Sequence, residues 1–290
     1  MIKTNLKEKK VAKSNLKVVD NREIKTTAYS DINLKAWRDY EHIKTDTLWE
    51  FPNRLKEGGH SNEYHGNYIP QIAQQIYERY TKKNDIVLDL FFGSGTSGIE
   101  AINMNRRCIG VELKEDLAES VSEKFTPKQL VTDVNIICAD SASEIAKEKI
   151  QARLDIMGEK KAQLLMLHPP YDDIIKFSDK KEDLSNCATT EEFYDLFEKV
   201  AKNGYDMLEK GRFACLIIGD KYANSQHIPL GFECMARMNK LGFITKAIII
   251  KDMQGNERAK GKTANLWRYR ALAGGFYIFK HEYVMVFQKI

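Results

Sequence analysis

Long apolar runs are missing from this sequence. No segment approaches the ~18 uninterrupted apolar residues of a membrane-spanning helix. The first 17 residues, MIKTNLKEKKVAKSNLK, carry six lysines where a secretory signal would carry an apolar core. Cysteine is scarce: five residues (Cys108, Cys138, Cys187, Cys215, Cys234) form no C-x-x-C pair, and Cys108, Cys138 and Cys215 lie in apolar stretches. That argues against a disulfide framework and a thiolate metal site, and for reduced thiols in a cytoplasmic protein that uses neither metal nor membrane. A large excess of one charge is lacking too, since 45 Lys and Arg face 41 Asp and Glu.

The charge that exists is uneven. Residues 1–17 are net +5 and residues 251–270 net +4, while the whole chain is only +4. Two basic patches on a neutral body suit a polyanionic partner. Residues 1–30 hold few large apolar side chains and are expected to form a basic arm, with one domain over 31–290.

From residue 70 the pattern alternates. Pro70 opens a helix over 70–80 with Ile72, Ile76 and Tyr80 on one face. Strands are expected at 86–91, 107–113, 134–140, from 163 to a Pro-rich exit, 212–220, 243–252 and 282–290. Helices are expected at 97–105, 114–125, 141–157, 191–211 and 229–241, and none between the last two strands. Nearly continuous apolar strands alternating with helices mean a parallel sheet covered on both faces. The predicted fold class is α/β, a doubly wound, mostly parallel seven-stranded sheet ending in an antiparallel hairpin. Ligands of such sheets sit at the carboxyl ends of the strands.

The informative residues lie there. The first strand ends in DLFFGSGTSG, whose Gly93-x-Gly95-x-x-Gly98 fits a dinucleotide fingerprint. Glu112 ends the next strand, where an acid would take ribose hydroxyls. Asp140 ends the third, where a carboxylate could accept from an adenine amino group. Asp89 stands just before the glycine turn. A carboxylate there repels a diphosphate and welcomes an ammonium, which favours S-adenosylmethionine over NAD as the cofactor.

DLFFGSGT followed by HPPY (168–171) resembles the DNA amino-methyltransferases that modify adenine N6 or cytosine N4, whose motifs read D-x-F-x-G-S-G-T and [DNS]-P-P-[YFW]. The resemblance spans roughly 45–290. It implies the Rossmann-like S-adenosylmethionine-dependent methyltransferase fold, a cofactor pocket shaped by Asp89, Phe91, Gly93, Gly95 and Thr96, ribose on Glu112 and adenine on Asp140. It also implies a segment closing over the methionine end of the cofactor, for which Thr45, Asp46 and Thr47 are the candidates. Catalysis would fall to His168, Pro169, Pro170 and Tyr171.

An exocyclic amino group is a poor nucleophile because its lone pair is delocalised into the base. Acceptors on its hydrogens favour the pyramidal geometry that attack requires. A Pro-Pro unit fixes φ and offers carbonyls without donors, so the Pro169 carbonyl and the residue-168 side chain would grip the amino group while Tyr171 stacks on a flipped base. His168 departs from the family pattern. An imidazole accepts only when neutral and only through one nitrogen, so activity should fall as the pH drops through its pKa. The departure removes a clue to the target base; adenine is carried forward on the commonness of that mark.

Residues 251–280 join the last two strands, far longer than a hairpin loop. They interleave Arg258, Lys260, Lys262, Arg268 and Arg270 with Trp267, and are expected to contact duplex DNA. The alternative for this stretch is a folded-back loop with Trp267 and Phe276 in the core. Residues 172–186 form a second candidate substrate-side loop. No large target-recognition domain is evident, which leaves room for a separate recognition or nuclease subunit, as in restriction-modification systems. Competing readings are an RNA or protein-glutamine methyltransferase and a non-catalytic DNA-binding subunit of the same fold.

Overall fold

The computed structural model describes residues 24–60, 66–253 and 264–290. After a 3-10 segment at Leu34–Tyr40, the elements run β1 (Leu48–Trp49), α1 (Pro70–Tyr80), β2 (Ile86–Asp89), α2 (Thr96–Asn103), β3 (Arg107–Glu112), α3 (Glu115–Ser122), α4 (Pro127–Thr132), β4 (Val134–Cys138), α5 (Glu144–Ile156) and β5 (Ala162–Leu167). They continue with α6 (Thr190–Met207), β6 (Leu208–Ile218), β7 (Lys221–Ala223), β8 (Gln226–Ile228), α7 (Leu230–Lys240), β9 (Phe243–Asp252), α8 (Ala264–Gly274) and β10 (His281–Lys289).

The main sheet has the order β1-β9-β10-β6-β5-β2-β3-β4. β10 runs antiparallel to both neighbours, β6 and β9, while the other pairings are parallel. The chain steps from β2 outward to β3 and β4, then restarts at β5 on the other side of β2. The β2/β5 junction is therefore the switch point where the loops diverge and leave a crevice. The seven predicted strands are all present. Central strands such as β2 and β5 are buried along their whole length, which is why they read as unbroken apolar runs.

Each face of the sheet carries its own core. α5, α6 and α7 contribute Ile150, Phe193, Phe197, Val200 and Met238 to one. α1, α2 and α3 contribute Ile72, Ile76, Tyr77, Ile99 and Val121 to the other.

Three local expectations are corrected, and one helix is added. The stretch around Leu48 and Trp49, which lies outside the seven expected strands, pairs with Ile250 and Lys251 and adds an eighth, edge strand. The last connection contains a helix, α8, because residues 264–274 can close main-chain bonds that a loop would leave to water. Pro127 opens α4, with Thr126 and Gln129 forming a capping box. Gly211 does not end α6: the helix stops at Met207, and Gly211, at φ +86°, lies in β6 where its pairing with β5 is irregular.

Of the expected arm, residues 24–30 are described. Tyr29 packs edge-on against Phe213 at 4.8 Å and Ser30 is buried, so the folded body already includes them.

Candidate functional site

A cavity of about 600 Å³ opens at the carboxyl ends of the parallel strands, in the size range of a cofactor site. Leu90–Gly93 after β2, Glu112–Lys114 after β3, Asp140 after β4 and His168–Tyr171 after β5 border it, with Thr96 from α2. The end of β9 and the start of β10 add Lys251 and Glu282. Loops thus bring together residues far apart in sequence, as the switch-point geometry requires.

The glycine turn is held by carboxylates. Gly93 takes φ +52° and Gly95 φ +85°, and a Cβ on Gly95 would sit 2.7 Å from Val121 Cγ1, so only glycine fits there. Gly95 caps α2 and does not border the cavity. The Gly93 N–H donates to Glu112 Oε2 at 2.8 Å, and the Lys114 N–H to Glu112 Oε1 at 2.9 Å. Burial raises the Glu112 pKa against these bonds.

Asp89 is placed differently from expectation. It is 1% exposed and lies beneath the turn, not on the cavity wall. Its carboxylate accepts from the Phe91 N–H at 2.9 Å and from the Ser97 hydroxyl at 2.5 Å. Burial pushes its pKa up to about 6 against those bonds. Its side chain points into the turn it organises, so any pull on a cationic ligand acts at a distance. A dinucleotide site offers free turn N–H groups to a diphosphate; here those of Phe91 and Gly93 are spent on Asp89 and Glu112. The turn suits a nucleoside ligand without phosphate. Asp140, whose carboxylate accepts from the Ala142 N–H at 2.9 Å, is half-buried and faces the same cavity.

His168 follows β5 directly. Its ring meets Tyr68 edge-on at 5.3 Å and Tyr171 edge-on at 5.9 Å. The Tyr171 hydroxyl donates to Glu282 Oε2 at 2.7 Å and lies 3.5 Å from His168 Nε2. Glu282 Oε1 is 2.9 Å from Lys251 Nζ, and the two residues are register partners across β9 and β10. Both are buried.

Burial pushes the His168 pKa down to about 4; the carboxylate of Glu282 opposes this, and the positive Lys251 and Arg54 add to it. Burial also pushes up Glu282, but Lys251, His168 and the Tyr171 bond outweigh it and hold the carboxyl below its ordinary range. Tyr171 is raised well above ordinary phenols by burial and by Glu282. The acid limb expected of His168 therefore moves well below the pKa of a free imidazole.

Thr45, Asp46 and Thr47 are exposed and do not border the cavity. The Thr47 carbonyl accepts from the Ile250 N–H at 2.8 Å, so this segment leads into the edge pairing of β1 instead. The wall expected of it is built six to nine residues later by Phe51–Arg54, together with Asn67 and Tyr68. Arg54 Nη1 donates to the Asn67 carbonyl at 3.0 Å, while Arg54 Nε and Asn67 Nδ2 are buried without a partner among the described residues. The signal was the FPNR tetrapeptide, an aromatic and a proline beside an arginine. Ile174, Ile175, Phe177 and Leu184 from the 172–186 loop complete the wall opposite.

Arg258, Lys260 and Lys262 lie outside the described residues. Arg268 and Arg270 are exposed on α8 and Trp267 is half-buried, with the Arg270 guanidinium 5.3 Å from its ring centre. Phe276 stacks on Tyr222 at 4.5 Å rather than entering the sheet core. Among the described residues there is no cluster able to hold a metal ion and no helix long and apolar enough to cross a membrane.

A DNA methylase family model for N6 and N4 enzymes matches residues 3–123 and 162–290. The probable type III restriction-modification enzyme HindVI Mod subunit of Haemophilus influenzae is 38% identical over 87 residues, 29% of this chain and 12% of that protein. The type II methyltransferase M.SmaI of Serratia marcescens is 47% identical over 99 residues, 31% of this chain and 34% of that protein. The aligned stretches thus span well under two thirds of either relative. Among solved structures, TrmN from Thermus thermophilus superposes with a TM-score of 0.49 at 15% identity, over 78% of this chain and 50% of that one.

Proposed function

Because this chain belongs to the N6/N4 DNA methylase family, we propose that it transfers a methyl group from S-adenosylmethionine to the exocyclic amino group of a flipped base in duplex DNA, adenine N6 ahead of cytosine N4. The observation that carries this reading is that one cavity is bordered both by the Pro-Pro corner His168–Tyr171 and by the cofactor candidates Phe91, Gly93, Thr96, Glu112 and Asp140.

The residues present fit the cofactor. Its sulfonium, when bound, supplies an electrophilic methyl group. Glu112 has lone pairs left for ribose hydroxyls after its two backbone bonds. Asp140, which borders the same cavity, would accept from an adenine amino group. No free glycine-turn donors at Phe91 or Gly93 call for a phosphate.

On the substrate side, a flipped base costs a few kcal/mol of unstacking. Stacking against Tyr171 returns about 1–3 kcal/mol. His168, neutral at physiological pH, and the Pro169 carbonyl accept the two amino hydrogens and favour a pyramidal nitrogen. That nitrogen would form the new N–C bond as the S–CH3 bond of the sulfonium breaks to leave a neutral thioether, and its surplus proton would pass to solvent. Recognition of a longer target would fall to α8 with the basic stretch before it, or to a separate subunit; the resemblance to a Mod subunit supports the second.

The test is incubation with methyl-labelled S-adenosylmethionine and duplex DNA, followed by nucleoside analysis. Label in N6-methyladenine or N4-methylcytosine, lost in a folded His168→Ala variant, is expected. Label in RNA or protein instead, or DNA binding with no label, overturns the reading.

A further inference from the structure

An imidazole has two tautomers, and only the nitrogen without a proton accepts. A carboxamide, carboxylate or hydroxyl at position 168 would not face this choice. The surroundings make it for His168. The Tyr171 hydroxyl has one proton and gives it to Glu282 Oε2 at 2.7 Å, the stronger, charge-assisted bond. Towards His168 Nε2, 3.5 Å away, the phenol oxygen can then only accept. Glu282 is held in this role from its other side, where Oε1 meets Lys251 Nζ at 2.9 Å.

We propose that Glu282 is a positioning residue that works through Tyr171: it fixes His168 as the Nε2–H tautomer and leaves Nδ1 as the acceptor for the amino group of the base, with Lys251 locking the carboxylate in place. The proposal deepens the methyl-transfer reading and rests on it for the role of Nδ1. It explains how an imidazole serves where Asp, Asn or Ser is the family's usual residue. The price of the substitution is an ordered chain that runs across three strand ends, β5, β9 and β10.

A carboxylate has two oxygens, one for Lys251 and one for Tyr171. An amide has one. In Glu282→Gln the ammonium of Lys251 claims that oxygen, and the amide NH2 turns to the Tyr171 oxygen. The Tyr171 proton is then free to point at His168 Nε2, which inverts the tautomer. Removing the ammonium as well, in Glu282→Gln/Lys251→Met, frees the amide oxygen to accept from Tyr171 again and restores the first tautomer.

The experiment is ¹⁵N-histidine NMR of the full chain at neutral pH, with His168 assigned by its disappearance in His168→Gln. The wild type is expected as Nε2–H, Glu282→Gln as Nδ1–H, and the double variant as Nε2–H. In parallel, kcat for methyl transfer should fall about 10–100-fold in Glu282→Gln and recover in the double variant, with cofactor affinity unchanged throughout. A merely structural role would also recover once the unpaired ammonium is removed, but with one and the same tautomer in all three proteins. Nδ1–H in the wild type, or the same tautomer in wild type and Glu282→Gln, overturns the proposal. The tautomer is read without turnover, so an absence of DNA methylation would sink the proposed function while leaving this assignment to be judged by the spectra.

Discussion

At residue 168 burial keeps an imidazole uncharged at neutral pH. Desolvation does most of this, and the pKa of about 4 places the protonation step far from neutrality. With the unfolded value near 6.5, the unfolded chain binds more protons between about pH 6.5 and 4. The stability contributed by burying neutral His168 is therefore complete above pH 6.5 and is lost as the pH falls towards 4. Asp89 has the opposite sign: its pKa is raised to about 6, so its contribution is complete below the unfolded value and lost as the pH rises through 6. Two measurements separate them. At saturating cofactor, kcat should stay level from pH 8 to 5, and a kcat limb centred near 6.5 would contradict the buried, neutral His168. Urea unfolding across the same range should show a smaller loss of stability on acidification in His168→Asn than in the wild type. The motif residues themselves were legible in the sequence because their spacing is local. Their partners were not: Glu282 is 111 positions from Tyr171, and nothing in EYVMVFQKI marks its first residue as a hydrogen-bond acceptor for a distant phenol.

At the scale of elements, the exit from β5 is fastened by the short β7–β8 hairpin. Asp172 follows the HPPY corner with φ +53°, an uncommon conformation for a non-glycine residue, and is 1% exposed. Lys221, at the start of β7, reaches Asp172 at 2.5 Å and Asp173 at 2.9 Å, and Thr190 at the start of α6 donates to Asp172 at 2.7 Å. Lys221→Met would leave the Asp172 carboxylate buried and without its cation, at a cost of about 3–5 kcal/mol. The midpoint of urea unfolding should fall accordingly at constant slope, and Lys221→Met/Asp172→Asn should regain most of the loss. Equal midpoints for wild type and Lys221→Met would show that the ion pair does not hold this exit. Tyr171 is positioned from the same side: a Cβ on Gly219 would come within 2.9 Å of its ring, so the ring lies directly against the end of β6. Strand and helix identities followed from apolar periodicity. The helix boundary at Met207 and the edge strand β1 did not, because one depends on an irregular pairing with β5 and the other on a neighbour 202 positions away.

At the scale of the molecule, basic charge lies in the connection between β9 and β10. α8 carries exposed Arg268 and Arg270 next to exposed Leu266, Tyr269 and Leu272, in the connection between the two strands that supply Lys251 and Glu282. If this helix grips the phosphate backbone, Arg268→Ala/Arg270→Ala should weaken DNA binding at low salt and lower the slope of log K against log salt by roughly 0.9 per arginine. Cofactor affinity should not change. An unchanged slope would place the DNA on another face.

The sequence by itself determined the alternation of strands and helices, the glycine turn, the acids at the ends of β3 and β4 and the Pro-Pro corner after β5, because each is written in residues within a few positions of one another. Only the tertiary structure decided that Asp89 lies under the turn, that residues 51–54 rather than 45–47 wall the cavity, and that Lys251 and Glu282 reach His168 through Tyr171. Those outcomes depend on which strand ends meet at the switch point and on how deeply each charge is desolvated there, and both are properties of the assembled sheet.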